Sequence, residues 1–194
     1  MIEQFVDLLI GKQILETERK DEYVYVLTLL VERTITYGFL IVIAIMLHQL
    51  LLGIIFLVSF LLLRRTTGGF HSSTYIGCLL GTIALFFLSL KVIVPLLQQW
   101  HWLGIGISVI AVIAILVLAP VNHPNLCLTE EEIRLHKKWC LLVLGIECCL
   151  VVIAYLLGCY WQQYIQAGVL DCAVLVIIAK IIRQEVTINE KDKS

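Results

Sequence analysis

Cys78 and His71 lie seven residues apart in the stretch LRRTTGGFHSSTYIGC, which runs from Leu63 to Cys78 between two long apolar segments. A thiol becomes a nucleophile near neutral pH when a base or a positive environment removes its proton, and an imidazole is suited to that exchange. On one unbroken helix, a spacing of seven puts two side chains on one face but ~10 Å apart along the axis. They could not share a proton at that distance. The residues nearby break such a helix: Gly68-Gly69 favours irregular backbone, and Ser72, Ser73 and Thr74 are good helix N-caps. A helix that starts near Ser73 places Cys78 in its opening turns, where the positive helix end favours a thiolate. His71 then falls in a loop that can fold back over it. The stretch permits a Cys–His dyad. The plainer alternative makes Cys78 a small packing residue, His71 an interfacial one and Arg64-Arg65 a topology anchor.

The elements that must position this stretch are membrane helices. The chain has 194 residues, of which 60% are hydrophobic and 15% charged, with a mean hydropathy of +0.97. One soluble core of this size could not hide so much apolar surface. Apolar runs near 20 residues recur, and as helices they span the ~30 Å hydrocarbon layer. The expected class is all-α, polytopic and membrane-embedded, as one domain over 1–194. Met1 to Asp21 is charged and amphipathic, without the compact apolar core of a cleavable signal. Residues 1–22 read as an interfacial helix and residues 183–194 as a polar tail. Spans are expected over about Tyr75–Leu97, Trp102–Leu118, Trp139–Tyr160 and Tyr164–Ile182. Tyr23–Leu63 forms either a hairpin that turns near His48, giving about six spans, or one long kinked helix, giving four plus re-entrant or interfacial segments. The basic connectors are RRTTGGFH, TEEEIRLHKK and the C-terminal tail, and the positive-inside rule places them with both termini in the cytoplasm. The dyad then lies at the cytoplasmic face. The seven cysteines are irregularly spaced and mostly in apolar runs, which argues against a disulfide framework.

Other residues could also do chemistry. His123 with Cys127, and His136 with Cys140, are pairs at i,i+4 that could together hold zinc. Pro120 and Pro124 make the first pair loop-like, so PVNHPNLCLTEEE reads better as a span end followed by a helix capped at Thr129. The expectation is no metal and no cofactor. Glu147 and Asp171 fall inside spans, where acids are costly and often functional. They either line a peptide path or pair with a base such as Lys180. A small membrane transporter or peptide exporter without proteolytic activity would account for these acids. It leaves Gly-Gly-x-His before a capped, cysteine-bearing helix unexplained.

ERTITYG at Glu32–Gly38, then LRRTTGGFHSSTYIGC, then Pro120 with His123-Pro124-Asn125 resembles the accessory gene regulator B (AgrB) family. The similarity covers nearly the whole chain in length, hydropathy and motif order. Its specific part is R-x4-G-x-H-x6-C, carried by Arg64, Gly69, His71 and Cys78. Where family members commonly have an acidic residue soon after the YG pair, this chain has Phe39 and Leu40. The resemblance implies a bacterial, multi-pass cell-membrane cysteine endopeptidase of peptide quorum sensing. Its substrate would be an AgrD-like precursor peptide. Cys78 would be the nucleophile and His71 the general base. The acyl-enzyme thioester would be resolved by an internal Cys or Ser of the peptide, giving a thiolactone or lactone ring. Arg64 and Arg65 would hold the acidic tail, with Gly69 shaping the loop. The implied partners are that peptide and the lipid bilayer, with no nucleic acid; a homodimer is left open.

Overall fold

The computed structural model describes residues 2–12, 14–70, 74–122 and 128–184, and every regular element among them is helical. His71, Ser72, Ser73, His123 and Cys127 lie outside the described residues. The chain divides into two compact units, Met1–Ile43 and Ala44–Ser194.

The first unit holds α1 (Ile2–Gly11) and most of α2 (Lys20–Met46). Helix α1 is amphipathic and buries Val6. A short 3-10 turn, Thr17–Arg19, leads into α2, and Lys20 Nζ reaches Asp7 Oδ1 at 2.5 Å. Both partners are largely exposed, so this ion pair fixes geometry more than it adds stability.

The region Tyr23–Leu63 is two helices. Helix α2 ends in a Schellman motif: Gln49 N–H donates to the Ala44 carbonyl and His48 N–H to the Ile45 carbonyl, both at 2.9 Å. His48 takes the left-handed position at φ 53°, where glycine is usual. The chain then continues as α3 (Leu50–Thr67). Helix α4 (Tyr75–Leu88) runs through a π-helical turn at Ser89–Ile93 into α5 (Val94–Gln99). Pro95 explains that turn, since it has no N–H to donate back along the helix and clashes with the preceding turn. The ladder widens instead, with Val94 N–H donating to the Ser89 carbonyl. Helix α6 is His101–Leu118, α7 Glu130–Leu156 and α8 Gln162–Ile181.

Six helical segments among the described residues are long and apolar enough to cross a membrane: Thr17–Met46, α3, Tyr75–Gln99, α6, α7 and α8. Their outward faces are apolar. Leu51, Val117 and Trp102 are 71%, 72% and 82% exposed, which is untenable in water at this density and appropriate to lipid. Helix α8 is the exception. It sits at the centre of the second unit, packed by α3, α6 and α7, and buries residues around its whole circumference. Small residues allow the close approach: a Cβ on Gly168 would come within 2.8 Å of Ser59 Oγ. The Phe56 ring stacks on Phe60 and meets Phe86 edge-on, at centroid distances of 5.8 and 5.5 Å. Asp171 is buried on α8 and lies 2.5 Å from the Ser89 hydroxyl at the π-helical turn. Its partner is thus Ser89, whereas Lys180 is nine residues, ~13 Å, farther along the same helix.

Candidate active site

Cys78 is the fourth residue of α4. Thr74 caps this helix, its hydroxyl accepting from Gly77 N–H at 3.2 Å. The Cys78 N–H donates to the Thr74 carbonyl at 3.0 Å, and the Cys78 carbonyl accepts from the Thr82 hydroxyl at 2.8 Å. The thiol is therefore held in the first turn of a well-capped helix, half-buried. The cap falls at Thr74, one residue after the start expected from the serines. Later in α4, a Cβ on Gly81 would meet nothing within 4 Å.

The loop before that helix is shaped by Arg64. Its guanidinium donates from Nη1 to the Gly68 carbonyl and from Nη2 to the Phe70 carbonyl. One planar fork thereby closes the C-terminal end of α3 and the glycine loop together. Gly68 and Gly69 have φ of 66° and 117°, angles that side-chain-bearing residues rarely adopt. Two backbone bonds tie the loop to the rest of the unit. Phe70 N–H donates to the Leu175 carbonyl at 3.0 Å, and Val121 N–H donates to the Thr67 carbonyl at 2.9 Å. Phe70 and Leu118 pack on buried Val121, Val176 and Ala179. A Cβ on Gly68 would lie 2.6 Å from the Val121 carbonyl, and one on Gly69 would meet the Arg64 guanidinium. Neither glycine can carry a side chain without moving its neighbours.

Arg64 therefore has a task the sequence did not reveal: it organises the loop, within electrostatic reach of the Cys78 and Cys172 thiols. Arg65, by contrast, is exposed. The Cys172 thiol sits behind the loop, buried, 3.5 Å from the Phe60 carbonyl. Asn122 was missed as a supporting residue. It is buried and brackets the segment after α6, accepting from Leu128 N–H at 2.9 Å and donating to the Leu128 carbonyl at 3.3 Å. Because its neighbour Val121 is bonded to Thr67, the base of that segment lies against the glycine loop. The PVNHPN motif signalled the place but not this role.

Gly69→Ala is expected to distort the loop through the combined φ strain and contact with Arg64, at a cost of about 1–3 kcal/mol. The thermal midpoint should fall, and reaction of Cys78 with an alkylating probe should change with it. Gly81→Ala, in open space, should change neither.

His136 and Cys140 lie on α7, with Cys140 buried. Among the described residues, no group of three or more His, Cys, Asp or Glu side chains converges on one point. Thr129 caps α7 as the sequence indicated, in a full capping box with Glu132. The Thr129 N–H donates to Glu132 Oε2 at 2.7 Å.

The family model for Accessory gene regulator B matches residues 2–183. No curated protein and no solved structure matches the chain.

Proposed function

The chain belongs to the accessory gene regulator B family, which places it in autoinducing-peptide processing, and from that premise we propose that it is a membrane cysteine endopeptidase and peptide cyclase. The observation that carries this reading is the setting of Cys78: a half-buried thiol in the first turn of a Thr74-capped helix, beside a loop held by Arg64. A thiol kept only for packing needs no such loop.

In this reading His71 takes the proton from Cys78 Sγ, and the sulfur attacks the scissile carbonyl of an AgrD-like precursor. His71 returns the proton to the leaving amine, which departs with the acidic tail. The peptide stays on Cys78 as a thioester. An internal Cys or Ser of the same peptide then gives up its proton and attacks that carbonyl, forming the ring and restoring the Cys78 thiol. A thioester and a thiolactone have similar acyl-transfer potential, so ring closure by thiol exchange is nearly balanced. Closure directly from a peptide bond is uphill. Apolar helices around the site exclude the water that would otherwise hydrolyse the acyl-enzyme. The site faces the cytoplasm, as do both termini, in keeping with the basic connectors.

Arg65 is exposed beside the loop and meets the acidic tail, while Arg64 positions the loop. The protein in lipid nanodiscs, given a synthetic precursor, should release the tail. Arg65→Gln should slow turnover of the acidic-tailed precursor by about fivefold. A precursor with a neutralised tail should lose much less on the same substitution. Equal losses on both would assign Arg65 to topology, and no tail release by the wild type would sink the protease reading.

A further inference from the structure

The helix that carries Cys78 is anchored from one end. Tyr75 to Leu85 are all half-buried or exposed, and the first buried residue of α4 is Phe86. Burial continues at Ser89, Leu90, Val94 and Leu97, through the π-helical turn and α5, both of which pack on α8. Cys78 stands eleven residues before Ser89, ~16 Å along the axis. Over that length a tilt of ~5° at the turn moves the thiol by ~1.4 Å.

The turn is pinned by a polar contact whose protons can be counted. Ser89 Oγ lies 2.8 Å from the Leu85 carbonyl and 2.5 Å from Asp171 Oδ2. A hydroxyl has one proton to donate and can also accept, whereas a carbonyl only accepts. Both contacts are hydrogen bonds when Ser89 donates to Leu85 and the Asp171 carboxyl donates to Ser89. An ionised carboxylate would compete with the Leu85 carbonyl for one proton and leave two acceptor oxygens in close contact. Nothing nearby favours the ion. Asp171 is 1% exposed, and among the described residues no basic side chain forms an ion pair with it. Arg64 serves the Gly68 and Phe70 carbonyls, and Lys91 and His101 are exposed. The titratable groups around neighbouring Cys172 include Glu147 and Cys140 of α7, which supply no positive charge. A buried carboxylate without a cation is costly, and an apolar site suits the neutral, donating form.

We propose that Asp171 is a neutral carboxylic acid donating to Ser89 Oγ, and that this pair positions Cys78 by locking the turn from which its helix projects. The inference rests on the protease reading above, which gives the placement of that thiol its consequence. A π-helical turn inserts one residue into a helix and recurs at functional sites. Here it sets the rotation of the arm that carries Cys78, and the bond to α8 holds that setting. Four residues after Asp171, the Leu175 carbonyl accepts from Phe70 N–H. Helix α8 thus holds both the nucleophile's helix and the loop that leads to His71.

The test uses the full-length protein in lipid nanodiscs at neutral pH. The infrared difference between wild type and Asp171→Asn should contain the carbonyl stretch of a protonated acid, shifted in D2O. Carboxylate bands alone would overturn the proposal. The second readout is alkylation of Cys78 by iodoacetamide, followed by mass spectrometry on the tryptic fragment Thr66–Lys91, whose one cysteine is Cys78. Asparagine matches the neutral acid in shape and donates from Nδ2, so Asp171→Asn should keep the wild-type rate within about twofold. Asp171→Leu, similar in size but without a donor, should slow it about tenfold as the thiol shifts from its base. Ser89→Ala should do the same, and the double variant should be little slower than either. If Asp171→Leu does not fold, Ser89→Ala decides. An unchanged or faster rate in Ser89→Ala, or an Asp171→Asn loss as large as that of Asp171→Leu, would overturn the positioning role. Neither readout uses the precursor, so failure here leaves tail release untouched, and failure of tail release leaves these results standing.

Discussion

Cys78→Ala and His71→Ala should each abolish precursor cleavage, with kcat/KM falling by about 10⁴-fold or more. In the proposed mechanism the first removes the atom that would form the acyl bond, and the second leaves the thiol without its base. The two losses should be far from additive, because one unit has been broken twice. Folding should survive both. Cys78 is half-buried at a helix start whose cap is Thr74 and whose backbone bonds do not involve the thiol. The purified variants in lipid should therefore keep the helical circular dichroism and thermal midpoint of the wild type. Cys127→Ala and Cys159→Ala should retain cleavage. A Cys78→Ala protein that cuts at the wild-type rate would end the nucleophile assignment.

Arg64→Lys should be the next most damaging change, and its signature differs from that of a tail-binding residue. Arginine serves the Gly68 and Phe70 carbonyls with two arms of one rigid fork. Lysine keeps the charge but has a single ammonium on a flexible stem. The loop that leads to His71 should then shift, and displacement of a catalytic group by ~1 Å costs about 10²-fold in rate. We expect kcat to carry that loss, with KM little changed and the loss the same for acidic and neutral tails. Arg64→Ala should add a cost of about 1–3 kcal/mol in stability, from part-buried carbonyls left unpaired. A loss confined to KM on acidic tails would return Arg64 to substrate binding.

The membrane architecture was legible because spans are written in hydropathy over about 20 residues, and the bilayer leaves few ways to satisfy the backbone. What stayed ambiguous was local. The turn after α2 rests on His48 in a left-handed conformation, a task usually given to glycine or asparagine and so without a clear sequence mark. Helix α7 begins at Glu130, nine residues before the apolar run at Trp139. Hydropathy reports the lipid-facing stretch, whereas the Thr129–Glu132 capping box reports the helix. The π-helical turn needed Pro95 to be read as a widened ladder and not as a break. Around the loop, the helix break at Gly68-Gly69 and the cap at Thr74 could be read from residue types and spacing. The Arg64 fork and the bonds from Phe70 to Leu175 and from Val121 to Thr67 could not. Their acceptors are backbone carbonyls, which every residue has; those of the fork lie four and six residues on, and the other two bonds join segments far apart in the chain.

The central claim, that acyl transfer passes through Cys78 to a nucleophile within the peptide, is tested most directly by intact mass. The substrate should be a precursor whose internal Cys or Ser is replaced by Ala. Without that group the thioester loses an intramolecular partner whose effective molarity can reach ~10⁵ M, while the first cut is unaffected. The account predicts release of the tail, a protein mass increased by the remaining peptide, and localisation of that adduct to Cys78. Hydroxylamine should remove it. Rapid release of linear peptide with no adduct on Cys78 would contradict the account and leave a simple hydrolase.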